Sequence, residues 1–318
     1  MIITLTLNPA IDETVEVDRF SEADTNRVLS IRRDIGGKGI NVSRVLKELG
    51  YEPLAAGFAP GKFGRMIEEQ LLDAGIGCEF VPYGGETRTN INIMDRSTHR
   101  HTVLAAPGPD VPDEALRRLR RRLARRMRAD TWLVLAGSVP PPLDSSLHIE
   151  LMREVSARGG ASILDADGPV VEAVLHSDAR PMLLKMNDQE LGRLLHLPLD
   201  TEEAVRNGAR SVQRRGFPNV VITRGGEGTI AITEHGEFRA IPPLVQVQSA
   251  VGAGDGFLAG LLLALKQGRG WAEALAFASA VGSAVCLSPG TGLCNARDVV
   301  ELRPFATVEA LATAGAAR

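Results

Sequence analysis

The chain has 318 residues, 44% of them apolar and 24% charged, with a formal net charge of −3. That balance is ordinary for a globular protein with a sizeable core, and it sets aside a general nucleic-acid or membrane-surface binder. Cys78, Cys286 and Cys294 are too few and too scattered for a disulfide framework or a zinc site, which fits a reducing cytoplasm.

The opening residues, 1–10 (MIITLTLNPA), lack the basic stretch of a secretory signal, and 2–7 read as a buried strand. Residues 13–34 then alternate polar and apolar types, as at Val15, Glu16 and Val17, a period of two that predicts exposed antiparallel strands. Residues 40–49 place Ile40, Val45, Leu46 and Leu49 at helical spacing, and 63–72 form a second helix. Residues 86–104 return to alternation through Thr89, Asn90, Ile91, Asn92 and Ile93. The two alternating segments, 13–34 and 86–104, predict a small β lid, or else two plain surface hairpins, beside a core of residues 1–12, 35–85 and 105–318.

Further on come a helix at 114–127, strands at 132–136, 162–165 and 182–185, a helix at 204–214 and a strand at 220–223. Strands alternating with helices predict βαβ units, hence a doubly wound, mostly parallel α/β sheet with helices on both faces. Burial on both faces explains why these strands are apolar throughout. The longest apolar run, 257–265, is half the length needed to span a bilayer. The arginine-rich stretch 117–128 (RRLRRRLARRMR) sets Leu116, Leu119, Leu123 and Met127 on one helical face, so its arginines read as a solvated face.

Residues 250–257 (AVGAGDGF) precede a helix that is hydrophobic all round and therefore buried. Gly252, Gly254 and Gly256 permit tight turns, and the amino-terminal N–H groups of a buried helix make a fixed anion site. Asp255 at that site has two readings. It is a general base beside an anion hole, the arrangement phosphoryl transfer needs, or it is a helix cap. A second cluster, 36–41 (GGKGIN), joins a lid strand to a helix and lets the backbone approach a small polar ligand. Its spacing is not that of a Walker A loop. The turn after residues 2–7 has no G-x-G-x-x-G, which sets aside a dinucleotide-dependent dehydrogenase.

Together the clusters resemble the phosphofructokinase B branch of the ribokinase-like sugar kinases. The resemblance runs from Thr4 to about Val299, through residues 6–12 (TLNPAID), 36–41 (GGKGIN), Thr87 with Arg88, 137–140 (GSVP), 187–190 (NDQE), 223–228 (TRGGEG) and 251–255 (VGAGD). It implies that Asp255 is the base and that Gly252, Ala253 and Gly254 surround the transferring phosphoryl group. Asp12, Gly37, Lys38, Asn41 and Ser138 would bind the sugar. Arg27 and Arg88 would grip its existing phosphate, the second of them supplied by a neighbouring subunit's lid in some relatives. Lys185, Asn187, Thr223, Gly225 and Gly228 would contact ATP, with Ser283 near the adenine. Asn187 and Glu190 would hold Mg2+ mostly through water. The resemblance leaves K+ open and implies a homodimer formed through the lids.

The residues near Gly85–Arg88 and Gly37–Asn41 resemble the 1-phosphofructokinase subgroup, so fructose 1-phosphate is the first expected substrate. Fructose 6-phosphate and tagatose 6-phosphate come next, then free sugars or nucleosides, then a regulator without turnover. Departures from the family are Met186 for a common proline, Ala250 for a common threonine, and apolar Val103 and Ala105 where relatives carry a polar group. His99, Arg100 and His101 are the candidates to replace that group, and two histidines are too few to make a metal site.

Overall fold

The computed structural model describes residues 1–98, 100–166, 168–290 and 292–312. Its first half holds β1 (Ile2–Thr6), β2 (Ala10–Val17), β3 (Val28–Gly36), α1 (Lys38–Glu48), β4 (Leu54–Pro60), α2 (Gly61–Asp73), β5 (Gly77–Tyr83), β6 (Arg88–Asp95), β7 (Arg100–Leu104), α3 (Asp113–Arg126), β8 (Trp132–Ala136), α4 (Ser146–Ser156) and β9 (Ala161–Asp165). The second half holds α5 (Gly168–Leu175), β10 (Leu183–Asn187), α6 (Asp188–Leu195), α7 (Glu202–Arg214), β11 (Val220–Thr223), β12 (Thr229–Thr233), β13 (Gly236–Ile241), α8 (Ala253–Lys266), α9 (Trp271–Cys286), α10 (Ala296–Leu302) and β14 (Thr307–Leu311).

The large sheet has ten strands in the order β14-β13-β12-β11-β10-β9-β8-β1-β4-β5. From β11 to β5 every neighbouring pair is parallel. The last three, β12 to β14, are antiparallel. Each face carries an apolar layer. One joins Leu119, Leu151, Val171, Leu191 and Val205 from α3 to α7, and the other joins Val45, Leu261, Leu262 and Val281 from α1, α8 and α9. Strand order reverses at β1, which has β4 on one side and β8 on the other. The crevice beyond the carboxyl ends of strands at such a reversal is where open α/β sheets bind ligands.

The alternating segments form a separate four-stranded sheet in the order β3-β2-β6-β7. Its pairing corrects the antiparallel expectation. β2–β3 and β6–β7 are antiparallel, but β2 and β6 run parallel, from Ala10 opposite Arg88 to Val17 opposite Asp95. The chain reaches β6 only after crossing the large sheet through β4, α2 and β5, so it returns in the direction of β2. A period of two reports which face is wet and carries no direction. The small sheet begins at Ala10 and runs back to Gly36, so Asp12, Ile35 and Gly36 lie in its strands.

Helix α3 buries Ala115, Leu119 and Leu123 and turns its arginines outward, where Arg120 pairs with Glu150 and Glu154, and Arg126 with Glu79. Exposed pairs of this kind are worth about 1 kcal/mol or less each. Met186 lies inside β10 with no exposed surface, so its departure from proline falls within the core and not in a loop. Among the described residues no helix is long and apolar enough to cross a membrane.

Candidate active site

Two helices begin at the reversal point with glycine as N-cap. Gly37 (φ 128°) precedes α1, and Gly252 (φ 80°) precedes α8, conformations that side chains rarely adopt. Neither helix has a side-chain cap. Gly37, Lys38, Val251 and Gly252 line one cavity of about 350 Å³, so the positive ends of both helices meet the same space. Thr6, Asn8, Asp12, Asn41, Arg88, Asn90, Ala105, Ser138, Glu190 and Asp255 complete most of its wall.

Asp255 stands in the first turn of α8, buried at 7% exposure. Its Oδ2 accepts a hydrogen bond from Asn41 Nδ2 at 2.8 Å, a contact between the two glycine-led helices. The capping alternative fails here, because the cap position belongs to Gly252 and α8 has no side-chain cap. Burial raises the Asp255 carboxyl to about 6, assisted by the nearby charge of Asp165 and opposed by Lys38, Lys185 and the Asn41 bond.

Asp165, at the end of β9, is fully buried. Lys38 Nζ lies 2.7 Å from its Oδ1, and Lys185 Nζ 3.1 Å from its Oδ2. Burial opposes ionisation of Asp165, yet the two ammonium groups hold its pKa below the ordinary carboxylate range. Burial likewise opposes the charge on Lys38, but Asp165, Asp255 and Glu190 together raise its pKa. Sequence reasoning passed over Asp165. The available signal was an acid closing an apolar strand at the carboxyl edge of a parallel sheet.

Asp12 accepts a hydrogen bond from Asn90 Nδ2 at 2.9 Å. Burial raises its pKa, with Asn90 and Arg88 pulling the other way. Arg88 donates to Ala106 O (2.9 Å) and Asn8 O (3.1 Å), which fixes the guanidinium at the cavity wall of its own chain. The arginine outside the cavity is Arg27, exposed just before β3. Of the residues near Val103 and Ala105, Ala105 lines the cavity together with Asn90, whereas Arg100 is exposed and is not part of the wall. His99 and the side chain of His101 lie outside the described residues.

Seven buried side-chain polar atoms have no hydrogen-bond partner among the described residues. Four of them, Thr6 Oγ1, Asn8 Oδ1, Asn41 Oδ1 and Arg88 Nε, belong to residues of the cavity wall. Unpaired buried polar groups are costly and concentrate where a polar ligand completes them.

Most of the other expected residues lie at or just after the carboxyl ends of β10 and β11. Asn187 and Glu190 make a reciprocal capping box at the start of α6, Asn187 Oδ1 accepting from Glu190 N and Glu190 Oε2 from Asn187 N, each at 2.8 Å. Glu190 Oε1 stays clear of the box, 3.8 Å from Lys38 Nζ. Thr223 ends β11, Gly225 opens a single 3-10 turn and Gly228 closes it. Ser283, buried in α9, donates to Pro243 O at 3.3 Å. Thr223, Gly225, Gly228 and Ser283 lie outside the cavity around Asp255.

A doubly wound sheet carrying an acid, two lysines and two bare helix ends at its reversal point is the architecture of an α/β kinase. The model of the pfkB family of carbohydrate kinases matches residues 5–298, and the chain belongs to that family. It is 33% identical over 304 residues to a 1-phosphofructokinase of Borreliella burgdorferi, covering 95% of this chain and 96% of that one. Phosphofructokinase-2 of Escherichia coli, solved with substrates and products, superposes with a TM-score of 0.89 at 27% identity, covering 96% of this chain and 98% of that one. Ribokinase of Arabidopsis thaliana, at 21% identity and covering 96% of this chain and 98% of that one, shares the fold with a TM-score of 0.74.

Proposed function

We propose that this kinase transfers the γ-phosphoryl group of ATP to a hydroxyl of a phosphorylated ketohexose, fructose 1-phosphate before fructose 6-phosphate or tagatose 6-phosphate. The observation that carries the reading is the pairing of Asp255 with unpartnered polar atoms of Thr6, Asn8, Asn41 and Arg88 around one cavity. Similarity to a 1-phosphofructokinase over 95% of the chain supports the choice of sugar.

In this reading Asp12, Gly37, Lys38, Asn41 and Ser138 hold the sugar hydroxyls, and Arg88 holds the existing phosphate through its planar fork. Asp255 accepts the proton of the attacking hydroxyl. A bond forms from that oxygen to the γ-phosphorus as the bond to the ADP oxygen breaks. The N–H groups of Gly252, Ala253 and Gly254 and the charges of Lys38 and Lys185 meet the negative charge on the moving group. Lys185, Asn187, Thr223, Gly225 and Gly228 line the path of the ATP phosphates, and Ser283 lies toward the adenine.

Among the described residues no three acids, histidines or cysteines cluster as a metal cage. One spare oxygen of Glu190 beside a capped Asn187 suits Mg2+, which keeps its waters and leans on substrate phosphates. Bound there, it would neutralise phosphate charge. The lids pair in a homodimer: Val28, Leu29 and Ile31 on β3, and Val103 and Leu104 on β7 at the opposite edge of the small sheet, are each about half exposed. Arg27, exposed just before β3, then reaches the partner's sugar phosphate. ATP as donor fits a cytoplasmic enzyme.

The test is ADP release with fructose 1-phosphate, fructose 6-phosphate, tagatose 6-phosphate, fructose and ribose, run in potassium and in sodium. At least about 100-fold higher kcat/KM for a phosphorylated ketohexose is expected, because an empty phosphate pocket leaves charge unpaired. Equal turnover of free sugars overturns the substrate class. No sugar-dependent ADP release overturns the reading. A potassium requirement would appear as activity lost in sodium; E. coli phosphofructokinase-2 has been solved in complex with potassium.

A further inference from the structure

We propose that Asp165 is a positioning residue of this site, a buried anchor whose two oxygens hold Lys38 and Lys185 in place to meet phosphate. Asp165 itself cannot touch a ligand. Its side chain has 0% exposure, against 5% for Lys185 and 33% for Lys38, so it meets a ligand only through the lysines, of which Lys38 lines the cavity. The sheet register brings the first pair together. Leu164 of β9 lies opposite Leu184 of β10, and Asp165 and Lys185 are the next residue on each strand. Lys38 arrives from the other side, as the first residue of α1.

A lysine is a point charge on a flexible four-carbon stem, which a phosphate site must restrain. A carboxylate taken wholly out of water is costly unless paired, and here each oxygen has its own ammonium. The trio carries a net positive charge, with Lys38 opening α1 and Lys185 beside Gly254 in the first turn of α8. The inference rests on the phosphoryl-transfer reading only in taking phosphate as what the lysines meet.

Binding of ATP, measured by calorimetry on the full chain, tests this without turnover. Asp165→Asn is expected to weaken ATP binding at least about tenfold, while the same change made on the Lys38→Met, Lys185→Met double variant costs less than about threefold, because both lysines it positions are gone. A folded Asp165→Asn variant that binds ATP within twofold of the wild type overturns the proposal, as does an equal loss in both backgrounds. If Asp165→Asn does not fold, nitrogen-detected NMR of the wild-type ammonium groups decides. Lys38 and Lys185, assigned from Lys38→Met and Lys185→Met spectra, should give slowly exchanging signals, and fast exchange of both overturns the anchor. A wild-type chain that binds ATP but phosphorylates no sugar refutes the kinase reading and leaves this test intact. One that binds no ATP refutes both.

Discussion

Asn41 donates to Asp255 across 2.8 Å, tying the first turn of α1 to the first turn of α8, while its own Oδ1 has no partner. One amide thus holds the acid and presents an acceptor to whatever enters the cavity. Asp255→Asn keeps the shape of this contact and removes the basicity. We expect kcat to fall by about 100-fold or more, the usual worth of a general base, with binding of ATP and sugar phosphate nearly unchanged. Steady-state kinetics with binding measurements check it, and near-normal kcat would exclude Asp255 as the base.

The same acid sets an expected pH limb. Burial and the neighbouring Asp165 lift the Asp255 carboxyl to about 6. A base works only when ionised, so kcat is retained above that pH and lost as pH falls through it. The Asn41 hydrogen bond favours the ionised form, so Asn41→Ala should move the limb to higher pH. A pH–kcat profile for the two proteins decides; an unmoved limb, or one shifted down, removes Asp255 as its source.

Arg88 is fixed by two carbonyl oxygens and has its Nε free of partners. Arg88→Ala should raise KM for the sugar phosphate far more than KM for ATP. Charge-assisted bonds are worth about 1.5–3 kcal/mol each, so at least about tenfold is expected in the sugar term. Equal effects on both substrates would place Arg88 elsewhere in the cycle.

The parts of this site that rest on backbone geometry were legible from the chain. Gly37 and Gly252 stand where a positive φ admits little else, and Asp255 follows in a helix too apolar to be exposed. The parts that rest on register were not legible. Asp165 reads like any strand-end acid until Leu164 is set beside Leu184. The parallel pairing of β2 with β6 is equally hidden, since alternation reports exposure alone. Asn90 was visible only as one polar residue in an alternating run, and its role at the cavity emerges from its bond to Asp12. Arg27 illustrates a different limit, because no pattern within one chain says which copy's cavity an exposed arginine serves.

Gly254 offers a way to separate activity from stability. It lies in the first turn of α8, and a Cβ built there would meet Lys185 Nζ at 2.8 Å and nothing else closer than 3.7 Å. Its φ is not positive, so alanine suits the backbone. Alanine in a helix interior is favoured over glycine by about 0.5–1 kcal/mol, a gain that the first turn realises only in part. The methyl group nonetheless intrudes on the lysine held by Asp165 at 3.1 Å. Lys185 has only 4% exposure and little room to move aside, so it must shift off its anchor or the helix end must tilt. Either adjustment disturbs the ammonium and the N–H groups expected to face the transferring phosphoryl group. Gly254→Ala should therefore raise KM for ATP and lower kcat while the melting temperature falls only slightly, the helix gain offsetting part of the cost of loosening the buried pair. A variant that loses stability in step with activity would point to simple overpacking, and one with unchanged kinetics would show that Lys185 does not work at this helix end.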